Sequence, residues 1–365
     1  MWVLRTSLAT PASIDRMVRA AEGAGINTLF VQVRGRGDAY YASRLEPRGA
    51  LLADQPAAFD PLARVIGAAR ARGIAVHAWI NINLVSDASY LPTDPSHLIR
   101  THPEWLMVPR ELAAFAWTAQ PRDPGYLKRL TSWTRANLTA VEGLYVSPIP
   151  SGARAHAVAV ARDLVRRYPL DGLHLDYIRY PHDGFDYSRA ALSAFRASLN
   201  LGAALSDVDV RELPERYPGE WAAFRRARIT TLASAIADAA RDARPGIQIS
   251  AAVVPDPRAA ITNKLQDWPD WAARGIVDAL CPMVYAEDRP VFTSQIEAVH
   301  QAIGDLPIWT GIGAYRLPAS ETASRILESR RAGAAGFVLF SYDSVAGGRH
   351  GSRYLLDVVQ AVLRP

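Results

Sequence analysis

Short apolar runs alternate along this chain with longer segments whose apolar residues recur at helical spacing. The short runs predict strands at Trp2–Arg5, Thr28–Arg34, Ala75–Asn81, Gly172–Asp176, Ile247–Val254, Asp278–Tyr285, Pro307–Ile312 and Gly336–Tyr342. Between them, Ile14, Met17, Val18 and Ala21 share one helix face, with Ser13 as the expected N-cap. Asp60-Pro61 opens a helix that Gly73 closes. Further helices are expected at Ser151–Tyr168, Glu220–Ala243, Leu265–Arg274, Thr293–Ile303, Ser320–Ala332 and Tyr354–Leu363.

Strands that alternate with helices predict βαβ units and a parallel sheet. Eight of them predict a (β/α)8 barrel, the TIM-barrel architecture, as one domain over residues 1–365. An open doubly wound sheet would carry a glycine-rich turn after its first strand, and Arg5-Thr6-Ser7-Leu8-Ala9 holds no glycine. Two stretches are too long to be plain connections. They are Leu84–Pro124 after strand three, with a helix (Leu127–Leu138) and an extended piece (Gly143–Pro148) behind it, and Pro181–Pro218 after strand four. Both are expected as excursions above the barrel.

Composition narrows the class. The chain has 365 residues, 49% hydrophobic and 21% charged, which fits a large buried core. The formal charge of +5 rests almost wholly on arginine, since Lys128 and Lys264 are the two lysines. No dense basic run with interleaved aromatics argues for nucleic acid. No apolar run is long enough to cross a membrane. Cys281 stands alone, so neither a disulfide nor a cysteine-rich zinc site is expected, and no cofactor is called for. Met1 leads straight into a strand, without a signal peptide. The expected locations are the cytoplasm, or outside the cell if an export segment was removed.

Barrel enzymes place chemistry at the C-terminal strand ends. Here those ends carry Gln32, Arg34 and Asp38; His77, Trp79 and Asn81; His174, Asp176, Arg179 and Tyr180; Tyr285, Glu287 and Asp288; Tyr315; and Tyr342 and Asp343, with Arg5 after strand one. Residues two apart in a strand share a face, so Gln32 with Arg34, His77 with Trp79 and Asn81, and His174 with Asp176 should each point into the barrel mouth. Taken singly, each has a plain structural reading as a helix cap, a core hydrogen bond or a solvated rim. Together they suit sugar: polar groups pair with hydroxyls, and aromatic rings stack on the apolar faces of the sugar ring.

The segment Leu170-Asp171-Gly172-Leu173-His174-Leu175-Asp176-Tyr177-Ile178-Arg179-Tyr180-Pro181 resembles the signature of the glycosyl hydrolase-like 10 family. Val31-Gln32-Val33-Arg34, Phe59-Asp60-Pro61-Leu62, His77-Ala78-Trp79-Ile80-Asn81, His102-Pro103-Glu104-Trp105 and Cys281-Pro282-Met283-Val284-Tyr285 extend the likeness over nearly the whole chain. The resemblance implies a barrel acting on polysaccharide, often cell-wall glycan. His174-Leu175-Asp176 is also similar to the fourth strand of retaining glycosidases, where the Asp is the nucleophile. Chitinase-like families place a catalytic Glu two residues later, and here that position is Ile178.

Glycoside hydrolysis needs one ionised and one protonated carboxyl. The expectation is that Asp176 is the ionised group, held so by Arg179 or His174. Asp288 is the expected general acid with Glu287 close behind, and Asp38 and Asp343 are outside candidates. Expected substrate contacts are Arg5, Gln32, Arg34, Asp38, His77, Trp79, Asn81, His174, Arg179, Tyr180, Tyr285, Tyr315 and Tyr342. Two other readings stay open: a metal-dependent polysaccharide hydrolase or deacetylase using His77, His174 and Asp176, and a glycan-binding protein without catalysis.

Overall fold

A computed structural model describes residues 1–200, 208–346, 351 and 353–363. Its strands are β1 (Trp2–Val3), β2 (Thr28–Arg34), β3 (Ala75–Asn81), β4 (Gly172–Asp176), β5 (Gln248–Val253), β6 (Ala279–Val284), β7 (Trp309–Ile312) and β8 (Gly336–Leu339). They hydrogen-bond in parallel in chain order, β1 to β8. This is the expected (β/α)8 barrel, nearly closed. The ladders run from β1 round to β8. At the remaining seam Asp343 bridges the gap: its carboxylate accepts the Leu4 N–H at 2.6 Å and the Thr6 and Ser7 hydroxyls at 2.7 Å each.

The period-two pattern sorts the core into two layers. Outward residues such as Val31, Ile80, Leu173, Leu175 and Ile249 pack under the surrounding helices, wholly removed from water. The inward layer is unusually aromatic. Trp2, Phe30, Trp79 and Cys281 fill the lumen, with Trp309 and Phe340 against them. Gly172 makes room for this layer, since a Cβ there would lie 2.2 Å from Nδ1 of His77.

Several boundaries differ from the sequence expectation, for local reasons. The first helix (Pro11–Gly23) is capped by Thr10, not Ser13. Ser13 is its N3 residue, and the two side chains complete a reciprocal capping box. The expected helix at Leu265–Arg274 is shorter, Trp268–Ala273, capped by Asp267, and an unexpected short helix, Pro257–Asn263, precedes it. Strand eight ends at Leu339, and Tyr342 instead begins a helical turn, Tyr342–Val345.

The excursion after β3 forms a small antiparallel ribbon, Leu84–Ser86 against Leu144–Tyr145, with helix Pro124–Ala136 between its strands. The ribbon leans on the barrel mouth through backbone bonds from Ile82 to the Asp176 carbonyl and from Asn83 to the Tyr177 carbonyl. The excursion after β4 holds helix Arg189–Ser198, capped by Ser188, and leads to the long helix Pro218–Ala243. Its residues 201–207 lie outside the described residues. Among the described residues, no helix is long and apolar enough to cross a membrane.

Candidate active site

At the C-terminal ends of the strands the barrel opens into a cavity of about 380 Å³. Asp176, at the tip of β4, forms part of its wall. One carboxyl oxygen, Oδ1, accepts the N–H of Tyr177 at 2.6 Å, and Oδ2 accepts the indole N–H of Trp79 at 3.1 Å. The register explains the meeting: Asn81 of β3 lies beside Asp176, so Trp79 sits one layer below on the same face. That indole N–H also reaches Oδ1 of Asn81 at 3.0 Å. Tyr177 adopts a left-handed backbone conformation (φ 49°), uncommon for a bulky side chain and frequent at functional sites.

Asp176 is 7% exposed. Burial raises its carboxyl above the usual aspartate value, although Arg179 and the two N–H groups oppose the rise. Burial thus works against the ionised Asp176 that the sequence suggests. His174 does not supply the opposing charge either. It is fully buried one layer lower, where Nε2 accepts the Trp2 indole N–H at 3.0 Å and Nδ1 lies 2.9 Å from the Ser250 hydroxyl. Burial holds its pKa well below the ordinary histidine value, so it is neutral.

The sequence analysis did not single out Glu142. It stands at the foot of the ribbon strand Leu144–Tyr145, far from Asp176 in sequence. Its Oε1 lies 3.4 Å from the guanidinium of Arg179, and its Oε2 accepts the Tyr145 hydroxyl at 2.7 Å. Burial opposes its charge, yet Arg179 and the tyrosine outweigh that, and the carboxyl sits below the usual glutamate value. Its charge in turn helps to raise Asp176. One carboxyl is thus pushed up and its neighbour down, the arrangement that separates an acid from a base. The only sequence signal was a lone glutamate at the edge of an extended piece, which does not reveal where a long excursion folds back.

The structure divides the other expected contacts. Arg5, Gln32, Trp79, Asn81, Arg179 and Tyr285 line the cavity with Asp176. Tyr315 packs beside them, its ring 6.2 Å from that of Tyr285. Tyr177, Arg36, Met283 and Phe340, not expected as contacts, line it too.

Arg34 does not. A bulge in β2 sets it beside Ile80 rather than Asn81, which breaks the alternation with Gln32 and turns it out of the lumen. It is buried there in an ion pair with Glu46 at 2.6 Å. Burial opposes the Glu46 charge, but Arg34 and His156 hold that carboxyl down at about 2.

His77 lies two layers below Asn81, in a separate hollow at the opposite end of the barrel with Phe30 and Trp309. Burial lowers its pKa to about 4. Tyr180 and Tyr342 are buried core rings outside the cavity wall. Asp38 bonds the backbone N–H of Arg36 at 2.9 Å, and both oxygens of Asp343 serve the β1–β8 seam.

Glu287 and Asp288 are corrected as well. Both are exposed and absent from the cavity wall. Asp288 caps helix Arg289–Ile303, accepting the Val291 N–H at 2.9 Å. An Asp just before Arg-Pro stops the outgoing strand segment and starts a helix, which carries the side chain away from the lumen. Among the described residues, no three His, Cys, Asp or Glu groups converge as metal ligands. The two nitrogens of His174 already have partners, so His77, His174 and Asp176 do not form the triad considered above.

Residues 3–321 match the family model described as glycosyl hydrolase-like 10. Over 301 residues the chain is 24% identical to a glycosyl hydrolase named DigH from Escherichia coli (strain K12), a match covering 77% of this chain and 59% of that protein. It is 26% identical over 165 residues to a glycosyl hydrolase named YngK from Bacillus subtilis (strain 168), covering 43% of this chain and 26% of that one. The chain therefore spans less than two thirds of the length of these relatives. Among solved structures, the glycoside hydrolase domain of PgaB (BpsB) from Bordetella bronchiseptica superposes with a TM-score of 0.69 at 14% identity, covering 100% of this chain and 99% of that one. An alpha-L-fucosidase from Paenibacillus thiaminolyticus superposes with a TM-score of 0.62 at 14% identity, covering 96% and 45%. At such identities these likenesses concern the fold.

Proposed function

The chain belongs to the glycosyl hydrolase-like 10 family, and from that membership we propose that it hydrolyses O-glycosidic bonds of a polysaccharide, a bacterial cell-wall or extracellular glycan. Asp176 is the general acid, and Glu142, outside the cavity wall, is the ionised group that acts on the site through Arg179. The observation that carries this reading is the buried carboxyl of Asp176 at the tip of β4, its pKa raised by burial, in a cavity walled by aromatic rings and arginines.

The roles follow from the environments. A protonated Asp176 gives its proton to the leaving-group oxygen, which would otherwise depart as an alkoxide. Glu142, kept ionised by Arg179, adds negative potential at the mouth, which favours the positive charge that develops at the sugar. Tyr177 and Tyr285, half-buried in the wall, offer faces on which a sugar ring stacks, while Gln32, Asn81 and Arg5 supply hydrogen-bond partners for hydroxyls.

The test is release of reducing ends from a panel of bacterial polysaccharides by the purified wild type and by Asp176→Asn. Turnover by the wild type that disappears in the variant supports the reading. Undiminished turnover by the variant removes Asp176 from the chemistry.

A further inference from the structure

The charges lining the cavity do not balance. Arg5, Arg36 and Arg179 face it, against the single acid Asp176. Arg179 has Glu142 as its partner. Among the described residues, neither Arg5 nor Arg36 has a carboxylate within salt-bridge distance. The acids nearby are otherwise engaged: Asp38 holds the backbone N–H of Arg36, and Asp343 holds Leu4, Thr6 and Ser7.

The two arginines are brought together at one backbone unit. Nη1 of Arg5 packs over Gly35, where a Cβ would stand 2.7 Å from it, and donates to Oε1 of Gln32 at 2.9 Å. Nη1 of Arg36 donates to the Gly35 carbonyl at 3.0 Å, which also receives the amide of Asn81 at 2.9 Å. Nε of Arg36 is buried without a partner, as is Nε of Arg179. Two half-buried guanidiniums thus meet the same backbone unit, and neither has a counter-charge. An anion in the cavity supplies the missing counter-charge, and the planar fork of arginine suits carboxylate or sulfate oxygens.

We propose that the cleft formed by Arg5 and Arg36 around Gly35 is a subsite for an anionic substituent on the sugar, so that the substrate is an acidic glycan. The proposal rests on the hydrolase reading for its location and deepens it by naming the substrate class. A neutral sugar satisfies these donors only with hydroxyls, and a cationic aminoglycan is repelled.

The experiment is binding, followed by intrinsic tryptophan fluorescence, to the whole chain carrying Asp176→Asn and to the same protein carrying Arg36→Gln, Arg36→Lys or Arg5→Gln. The probes are peptide-free peptidoglycan strands and alginate oligosaccharides (carboxylate), chitin 6-sulfate oligosaccharides (sulfate), chitin oligosaccharides (neutral) and chitosan oligosaccharides (cationic). The expected result is a preference of about tenfold or more for an acidic probe over the neutral one. That preference should weaken with added salt, collapse in Arg36→Gln and return in part in Arg36→Lys. Comparison of the carboxylate and sulfate arms identifies the anion. Equal binding of neutral and acidic probes overturns the proposal, as does a preference for chitosan, no binding of any acidic probe, or a preference that survives both Arg→Gln changes. Cleavage of a neutral glycan without acid preference sinks the subsite and leaves the hydrolase reading intact. Acid-selective binding without any cleavage by the wild type does the reverse.

Discussion

The indole N–H of Trp79 points at Oδ2 of Asp176 across 3.1 Å, from the neighbouring strand of the barrel. The same N–H has Oδ1 of Asn81 as a second acceptor, so it stays satisfied if Asp176 changes. Asp176→Asn should therefore fold and bind glycan while losing turnover by about 10²–10⁴-fold, the range for a missing general acid. Reducing-end assays and circular dichroism on the same preparation check both halves.

The buried acid also leaves a signature in stability. The folded-state pKa of Asp176 is raised, so the folded protein holds its proton more tightly than the unfolded chain. Stability from this group is full below the unfolded value, about 3.9, and is lost as pH rises through the folded one. Asparagine carries no such loss. The difference in melting temperature, Asp176→Asn minus wild type, should grow in the variant's favour as pH is raised from acidic to neutral.

Activity should peak at acidic pH. Glu142, with its pKa lowered, sets the acid limb, and Asp176, with its pKa raised, sets the alkaline limb, as apparent values of a coupled pair. Replacing Glu142 by Gln removes a charge that raises Asp176 and frees Arg179 to lower it. Carbon-13 NMR titration of labelled aspartate carboxyls should show Asp176 shifting downward, with turnover strongly reduced. An unmoved Asp176 would separate the two groups.

Arg34 and Glu46 form a fully buried pair. Arg34→Gln should cost about 3–5 kcal/mol, because Glu46 is left without its main counter-charge. The double change Arg34→Gln with Glu46→Gln should recover part of that loss. Urea denaturation of the three variants measures it.

Asp288→Ala should lose about 1 kcal/mol through the missing cap of helix Arg289–Ile303 and keep its kcat/KM. A large fall in kcat/KM at unchanged stability would return Asp288 to the chemistry.

The strand pattern made the barrel legible. Thr28–Arg34, Ala75–Asn81 and Gly172–Asp176 are read to their ends because short apolar runs mark them and the flanking helices announce themselves by caps and glycines. Side-chain alternation along them placed Trp79, Asn81 and Asp176 on one face. It failed at Arg34, where a single extra residue in β2 reverses the phase and nothing in the local sequence marks it. It gave His77 and His174 the right face but not the depth, because facing the lumen does not distinguish a mouth from a packed interior.

By itself, then, the sequence determined the order of elements, the inward set and the acid at the tip of β4, because these depend on periodicity along neighbouring residues. The second carboxyl was decided by the tertiary structure alone. Glu142 reaches Arg179 only because the excursion after β3 folds back as a ribbon onto the mouth, a closure between distant segments that no local pattern encodes. Protonation was decided there too, since a carboxyl's affinity for its proton depends on how much water and which charges the whole fold leaves around it.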